Sequence, residues 1–262
     1  MDAAAFFDLD KTVLAKSSTL AFGRPFLQGG LINRRAALKA AYAQLVFARG
    51  GADAVAMDRM RQGITQLCAG WEVAQVRDIV EETLVDVVDP LIYAEAAELI
   101  EAHRTAGREI VIVSSSGAEV VGPIGEMLGV HRVIATQMVI REGRYTGDIE
   151  FYAYGENKAE AIRELAEAAG YDLADCYAYS DSITDLPMLT AVGHPTAVNP
   201  DRALRREAGR LEWPIVVFEK PVSLRSRFSL GRQSRQVIAG TAVGLGAAAG
   251  LAWYANRRRT RT

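Results

Sequence analysis

Apolar and polar positions fall in blocks along this chain. Ala3-Ala4-Ala5-Phe6-Phe7 is a short continuous apolar run closed by Asp8 and Asp10, the pattern of a fully buried strand that delivers acids to its carboxyl end. From about Ala15 to Val87 the pattern turns helical, rich in Ala, Leu, Arg and Gln, with breaks at Gly29-Gly30 and Gly50-Gly51 and no strand signal. It predicts a helical insert directly after the first strand. Beyond Asp89-Pro90 a helix runs through Ala106 to a stop at Gly107, and Glu109-Ile-Val-Ile-Val-Ser-Ser-Ser-Gly117 reads as a second buried strand entering a small polar turn. A helix from about Glu119 to Leu128 stops at Gly129, and Arg132 to Thr136 is a third strand. Gln137 to Phe151, centred on Glu142-Gly143, reads as a hairpin before a helix over Glu156 to Ala169. Cys176-Tyr-Ala-Tyr-Ser-Asp181 is a fourth strand with an acid at its end, and short strands near Ala197 and over Pro214 to Phe218 complete the sheet.

This alternation predicts an α/β fold, a Rossmann-like parallel sheet of βαβ units with a helical cap inserted after the first strand and a C-terminal apolar helix. Residues 1–14 and 88–220 are assigned to the catalytic core and 15–87 to the cap. Residues 221–236, with Arg225, Arg227, Arg232 and Arg235, form a basic linker; 237–256 are a candidate membrane helix and 257–262 a basic tail. Val237 to Ala255 is a 19-residue run without a charge, just long enough to span a bilayer at about 1.5 Å per residue. Trp253-Tyr254 near its end favours an anchor, and the spacings Gly240-xxx-Gly244 and Gly246-xxx-Gly250 permit close helix pairing, hence a homodimer. Against an anchor, glycine and alanine dominate the run, and basic residues flank both ends, so orientation stays open alongside a soluble tail. Membrane association is the preferred reading, with the basic linker suited to anionic headgroups.

Composition narrows the function classes. With 262 residues, 50% hydrophobic and 24% charged, the chain can bury one sizeable core. A net charge of -2 with both signs dispersed gives no bulk case for nucleic acid. Cys68 and Cys176 lie far apart, which argues against a disulfide framework or a zinc site, and His103, His131 and His194 are scattered. The opening apolar stretch is too short for a secretory signal, so the catalytic part is expected to face the cytoplasm.

Four elements then supply what phosphoryl transfer needs. In Asp8-Leu9-Asp10-Lys11-Thr12, strand alternation places Asp8 and Asp10 on one side, where a nucleophile and an acid/base can address one substrate. Unpaired carboxylates after a buried strand would repel and lose solvation, and a bound cation removes that penalty. Ser114 follows the second strand, where a hydroxyl and free backbone N–H groups can hold phosphate oxygens, although serine there also serves as a simple cap. Lys158 opens a helix, where the dipole disfavours cations, in a chain with only five lysines among thirty basic residues; the alternative is a solvated surface lysine. Asp181 and Asp185 stand one turn apart after the fourth strand, as hard oxygen ligands suited to magnesium or as helix caps. Chance would have to place all four in this order at one sheet edge.

Asp8-Leu-Asp10-Lys-Thr12, Ser114, Lys158 and Asp181-Ser-Ile-Thr-Asp185 resemble the four signature motifs of the haloacid dehalogenase superfamily, over roughly residues 3 to 220. The insert after the first motif and the form Ser-Asp-Ser-Ile-Thr-Asp-Leu-Pro-Met-Leu resemble its phosphoserine-phosphatase-like branch. The resemblance implies a nucleophile at Asp8, a general acid then base at Asp10, an orienting hydroxyl at Thr12, and Ser114 and Lys158 holding the phosphoryl group. It implies Mg2+ held by Asp8, the backbone carbonyl of Asp10 and Asp181, with Asp185 in support. One feature departs from that branch: where phosphoserine phosphatases carry a glutamate for the substrate ammonium, this chain has Lys16-Ser17-Ser18-Thr19, and no acid lies between Asp10 and Asp53. A neutral or lipid phosphomonoester therefore fits better than phosphoserine. The expected function is a Mg-dependent phosphatase, with a phosphatidylglycerophosphate- or lysophosphatidate-type lipid phosphatase and a non-catalytic phospho-ligand binder at the membrane as alternatives.

Overall fold

The computed structural model describes residues 3–32, 63, 65–219 and 221. Its centre is β1 (Ala4–Phe7), all four residues of which are buried. With β2 (Glu109–Gly117), β3 (Arg132–Arg141), β4 (Arg144–Phe151), β5 (Tyr177–Ser180), β6 (His194–Val198) and β7 (Ile215–Val216) it forms a seven-stranded sheet in the order β4-β3-β2-β1-β5-β6-β7. Every pairing is parallel except β3 with β4. A strand with neighbours on both sides and helices over both faces meets no water, which is why β1 is written in alanine and phenylalanine without a polar alternate.

The helices are α1 (Ser18–Ala21), α2 (Gly23–Gln28), α3 (Val73–Val88), α4 (Ala94–Thr105), α5 (Ala118–Met127), α6 (Glu156–Ala169), α7 (Leu186–Thr190) and α8 (Arg202–Arg210). Successive residues of β1 serve opposite faces. Ala4 and Phe6 enter a core with Val111, Val113, Ile162, Met188, Leu189 and Leu204, which brings α6, α7 and α8 against one side. Phe7 points the other way, stacks on Tyr179 at 4.6 Å and meets His103 of α4 edge-on at 5.9 Å. Burial, with Arg108 adding to it, lowers the His103 pKa to about 4, so the ring is neutral, and it hydrogen-bonds the Tyr179 hydroxyl at 2.8 Å.

Within the described residues the predicted strands and helices of the core occur, and the helix stops at Gly107 and Gly129 both have positive φ, 77° and 68°. Three differences have local causes. The polar turn expected after Val113 is strand as far as Gly117, with the register to β3 slipping between Ser114 and Gly117. The strand expected over Arg132 to Thr136 does not end there: β3 continues into the hairpin, so one strand serves both the parallel sheet and the antiparallel pair. A helix not predicted, α8, is capped by the Asp201 carboxylate, which accepts from the amides of Ala203 and Leu204.

Linear order along the sheet turns at β1. The chain adds β2, β3 and β4 on one side and then, through α6, adds β5, β6 and β7 on the other. Such a reversal opens a crevice at the carboxyl ends of the strands where it occurs, and Asp8, Ser114 and Asp181 lie at those ends of β1, β2 and β5. The basic linker beyond Pro221, the apolar helix expected over 237–256 and the basic tail fall outside the described residues. Among the described residues no helix is long and apolar enough to cross a membrane.

Candidate active site

Asp8 is the first residue past β1, tied to the neighbouring strand by its amide, which donates to the Tyr179 carbonyl at 2.9 Å. Its carboxylate Oδ1 accepts from Lys158 Nζ at 2.7 Å, and the same ammonium donates to Asp185 Oδ2 at 2.8 Å. Lys158 is 2% exposed. It sits in the first turn of α6 for a local reason: the sheet edge holds two carboxylates that need a cation more than the helix start resists one. Burial alone would discharge it, but Asp185 and Asp8 outweigh burial and hold its pKa above the usual lysine value. Asp185 closes a single turn of 3-10 helix over Ile183–Asp185, and its Oδ2 also accepts from the Ser180 hydroxyl at 2.7 Å.

Asp181 completes this group. Its backbone carbonyl accepts from the Asp201 amide at 2.7 Å, which pins the loop after β5 to the loop after β6. Burial pushes its carboxyl up to about 7, Lys11 opposes that, and Asp185 and Asp201 add to it. Burial likewise raises the Asp8 pKa well above the usual carboxylate range, offset by Lys158 and reinforced by Asp185 and Asp181. Three largely buried carboxylates thus face the Lys158 ammonium, with Lys11 acting on Asp181, and the carboxylates still outnumber the ammonium groups, which leaves room for further positive charge.

Asp10 is placed differently. β1 has ended by Phe7, and the backbone turns through Lys11 at a φ of 61°, a left-handed conformation that is uncommon for a lysine. Strand alternation therefore does not set the direction of Asp10. Its carboxylate turns to α1 and to the end of β2: Oδ1 accepts from the Ser18 amide at 2.8 Å and Oδ2 from the Ser116 hydroxyl at 3.2 Å. Ser114 is buried, and its hydroxyl accepts from the Ser116 amide at 3.2 Å, so that amide is engaged within the chain and is not free for a phosphate oxygen. Thr12 is 1% exposed, and its hydroxyl has no hydrogen-bond partner among the described residues.

The fold therefore brings Asp8, Lys158, Asp181 and Asp185 into one charged cluster, and places Asp10 and Ser114 in a second group built around Ser116. The sequence reading did not single out Ser18, Thr19, Ser116 or Ser180 as site residues. Ser180 carried a signal, a hydroxyl directly before the acid that ends β5. The other three are joined to Asp10 only by folding.

Residues 5–190 match the family model for haloacid dehalogenase-like hydrolases. A Streptomyces azureus protein named for inhibition of morphological differentiation is 63% identical over 98% of this chain and 94% of its own length. A probable phosphatase of Mycobacterium tuberculosis is 60% identical over 98% of this chain and 89% of its own. A phosphoserine phosphatase of the same organism is 32% identical over 100% of this chain and 82% of its own.

Proposed function

Because this chain belongs to the haloacid dehalogenase-like hydrolase family and is a phosphatase, we propose that it hydrolyses a phosphomonoester through a phosphoaspartate formed on Asp8. The observation that carries this is the buried Lys158 ammonium bridging Asp8 and Asp185 at the end of the central strand. A carboxylate held there by one oxygen keeps the other for attack on phosphorus. The Asp8 oxygen forms the new bond to phosphorus as the bond to the leaving oxygen breaks, and Asp10 gives that oxygen a proton. Asp10 then takes a proton from the water that attacks the acyl phosphate, which releases inorganic phosphate and restores Asp8. Lys158 offsets charge on the phosphoryl oxygens throughout, and Ser114 and Thr12 supply hydroxyls at the same edge.

The donor set fits magnesium. Asp8 and Asp181 are hard oxygen donors in a cluster with excess buried negative charge, Asp185 supports them, and the Asp10 backbone carbonyl is the further donor that the family resemblance implies. Magnesium retains waters and takes one or two protein carboxylates plus substrate phosphate, which such a set can supply. Bound there, the ion would neutralise charge on the transferring group.

The side chains around Asp10 are serine hydroxyls, and no acid lies between Asp10 and Asp53. A leaving-group ammonium would need a carboxylate partner, and residues 11–52 supply none. We therefore assign a neutral leaving group. The cap assignment of 15–87 and the lipid-substrate reading rest on sequence, the latter on the acid-free stretch after Asp10 and the apolar run at 237–255.

Asp8→Asn should abolish turnover of p-nitrophenyl phosphate, and acid-quenched wild type should carry a hydroxylamine-labile phosphoryl group that the variant lacks. Turnover surviving in the variant would remove the nucleophile assignment. Glycerol phosphate should be hydrolysed with a higher kcat/KM than phosphoserine; the reverse order would overturn the leaving-group assignment.

A further inference from the structure

We propose that Ser116 is a positioning residue for the acid/base Asp10, acting as the hub of a hydroxyl clasp that joins the first insert helix to the core. The inference rests on the phosphatase reading above and goes beyond it, since no signature motif includes Ser116, Ser18 or Thr19. Ser116 lies in the stretch of β2 where the register slips, and the slip sets its hydroxyl toward Asp10, a residue 106 positions away in the chain. A serine hydroxyl has one hydrogen and two lone pairs. Ser116 spends its hydrogen on Asp10 Oδ2, accepts from the Ser18 hydroxyl at 2.9 Å and meets the Thr19 hydroxyl at 3.1 Å, which leaves Thr19 as donor in that pair. Its hydroxyl is therefore saturated, and the hydrogens of all three side chains run toward the carboxylate.

The backbone completes the grip. Asp10 Oδ1 accepts from the Ser18 amide at 2.8 Å, so each carboxylate oxygen has its own donor, one from α1 and one from the end of β2. With both oxygens held, rotation of the carboxyl group is blocked, and the lone pair that exchanges a proton with the leaving oxygen has a fixed direction. The 3.2 Å contact is long for a hydroxyl on a carboxylate, as catalytic hydrogen bonds often are before substrate tightens them. Ser18 is fully buried and Ser116 is 6% exposed. Water therefore cannot readily replace a lost hydroxyl, and removing one loosens Asp10 rather than resolvating it.

The test separates positioning of the acid from general damage by varying the leaving group. p-Nitrophenolate departs without a proton, whereas an alkoxide needs one, so only the second feels a misdirected acid in the phosphorylation step. In pre-steady-state measurements on the full chain, Ser116→Ala should slow phosphoenzyme formation from glycerol phosphate by on the order of 10-fold or more. Formation from p-nitrophenyl phosphate should slow by about 2-fold or less, with KM for both nearly unchanged. Equal slowing with the two substrates, or none, would overturn the positioning role. Should Ser116→Ala fold poorly by thermal melting, Thr19→Val carries the test at an exposed position, with a smaller shift in the same ratio expected and an unchanged ratio overturning the proposal. A wild type that forms no phosphoenzyme from either compound would instead sink the phosphatase mechanism itself.

Discussion

A single residue, Leu9, separates Asp8 from Asp10, yet opposite chemistries hold them. Asp8 stands in a charged cluster made wholly by the core: an ammonium from α6, a carboxylate after β5 and a serine that steadies that carboxylate. Asp10 stands among neutral hydroxyls and an amide, all but the Ser116 hydroxyl from the insert that follows the first strand. The division matches the two tasks proposed for them, nucleophile and acid/base. A nucleophile that must meet a dianionic phosphoryl group needs fixed positive charge, and buried ion pairs are rigid only where partners leave no group unpaired. A group that gives and then takes a proton needs direction more than charge. Among the described residues of the insert, Ser18 and Thr19 are the ones that reach the Asp10 group.

The largest effect should come from breaking the charged side. Lys158→Ala leaves Asp8 and Asp185 buried with no cation between them, so it should lower kcat by on the order of 10³. It should also cost on the order of 3 kcal/mol of stability by urea unfolding at neutral pH without added magnesium. A variant as stable as wild type would mean that the ammonium is not the counter-charge the geometry makes it. Asp10→Asn sharpens the contrast from the other side. The amide oxygen can still accept from Ser18, so stability should change by no more than about 1 kcal/mol while kcat falls on the order of 10² with p-nitrophenyl phosphate binding retained. Equal stability losses in the two variants would erase the distinction between the clusters.

Much of the charged side was legible in the sequence because each of its members ends a strand or opens a helix. Asp8 closes the apolar run Ala3 to Phe7, Asp181 closes Cys176 to Ser180, and Lys158 is out of place on dipole grounds unless something anionic waits for it. Strand order was not legible: the alternation of strands and helices implies a parallel βαβ sheet but does not say which strand lies at its centre. The hydroxyl side was not legible, because the Ser116 contact with Asp10 depends on a register slip at the end of β2, and local pattern carries no register. Lys16 to Thr19 showed only what was missing, an acid, and not what the hydroxyls would grip. Helix α8 was missed for another reason. Arg202–Arg210 has just Leu204 and Ala208 on its buried face, too narrow a stripe to stand out among five charges, although Asp201 before it is a strong N-cap.

The smallest expected effect is a pH dependence confined to the charged side. Asp181 binds its proton more tightly in the folded chain, at about 7 against 3.8 for the free side chain, chiefly through burial. A raised carboxyl favours folding fully below about 4, and that contribution is lost as the pH climbs through 7. His103 works in the opposite sense, since a pKa lowered to about 4 favours folding above 6.5 and loses that contribution as the pH falls. The two overlap between pH 4 and 6.5, so a single melting curve against pH would hide both. The informative quantity is the difference between wild type and Asp181→Asn in magnesium-free buffer. Relative to the variant, wild type should lose thermal midpoint steadily from pH 5 to pH 8, and added magnesium should recover the loss in wild type alone, because a cation favours the ionised form. Parallel curves for wild type and Asp181→Asn would place Asp181 outside the charged cluster and leave Asp8, Lys158 and Asp185 to form it by themselves.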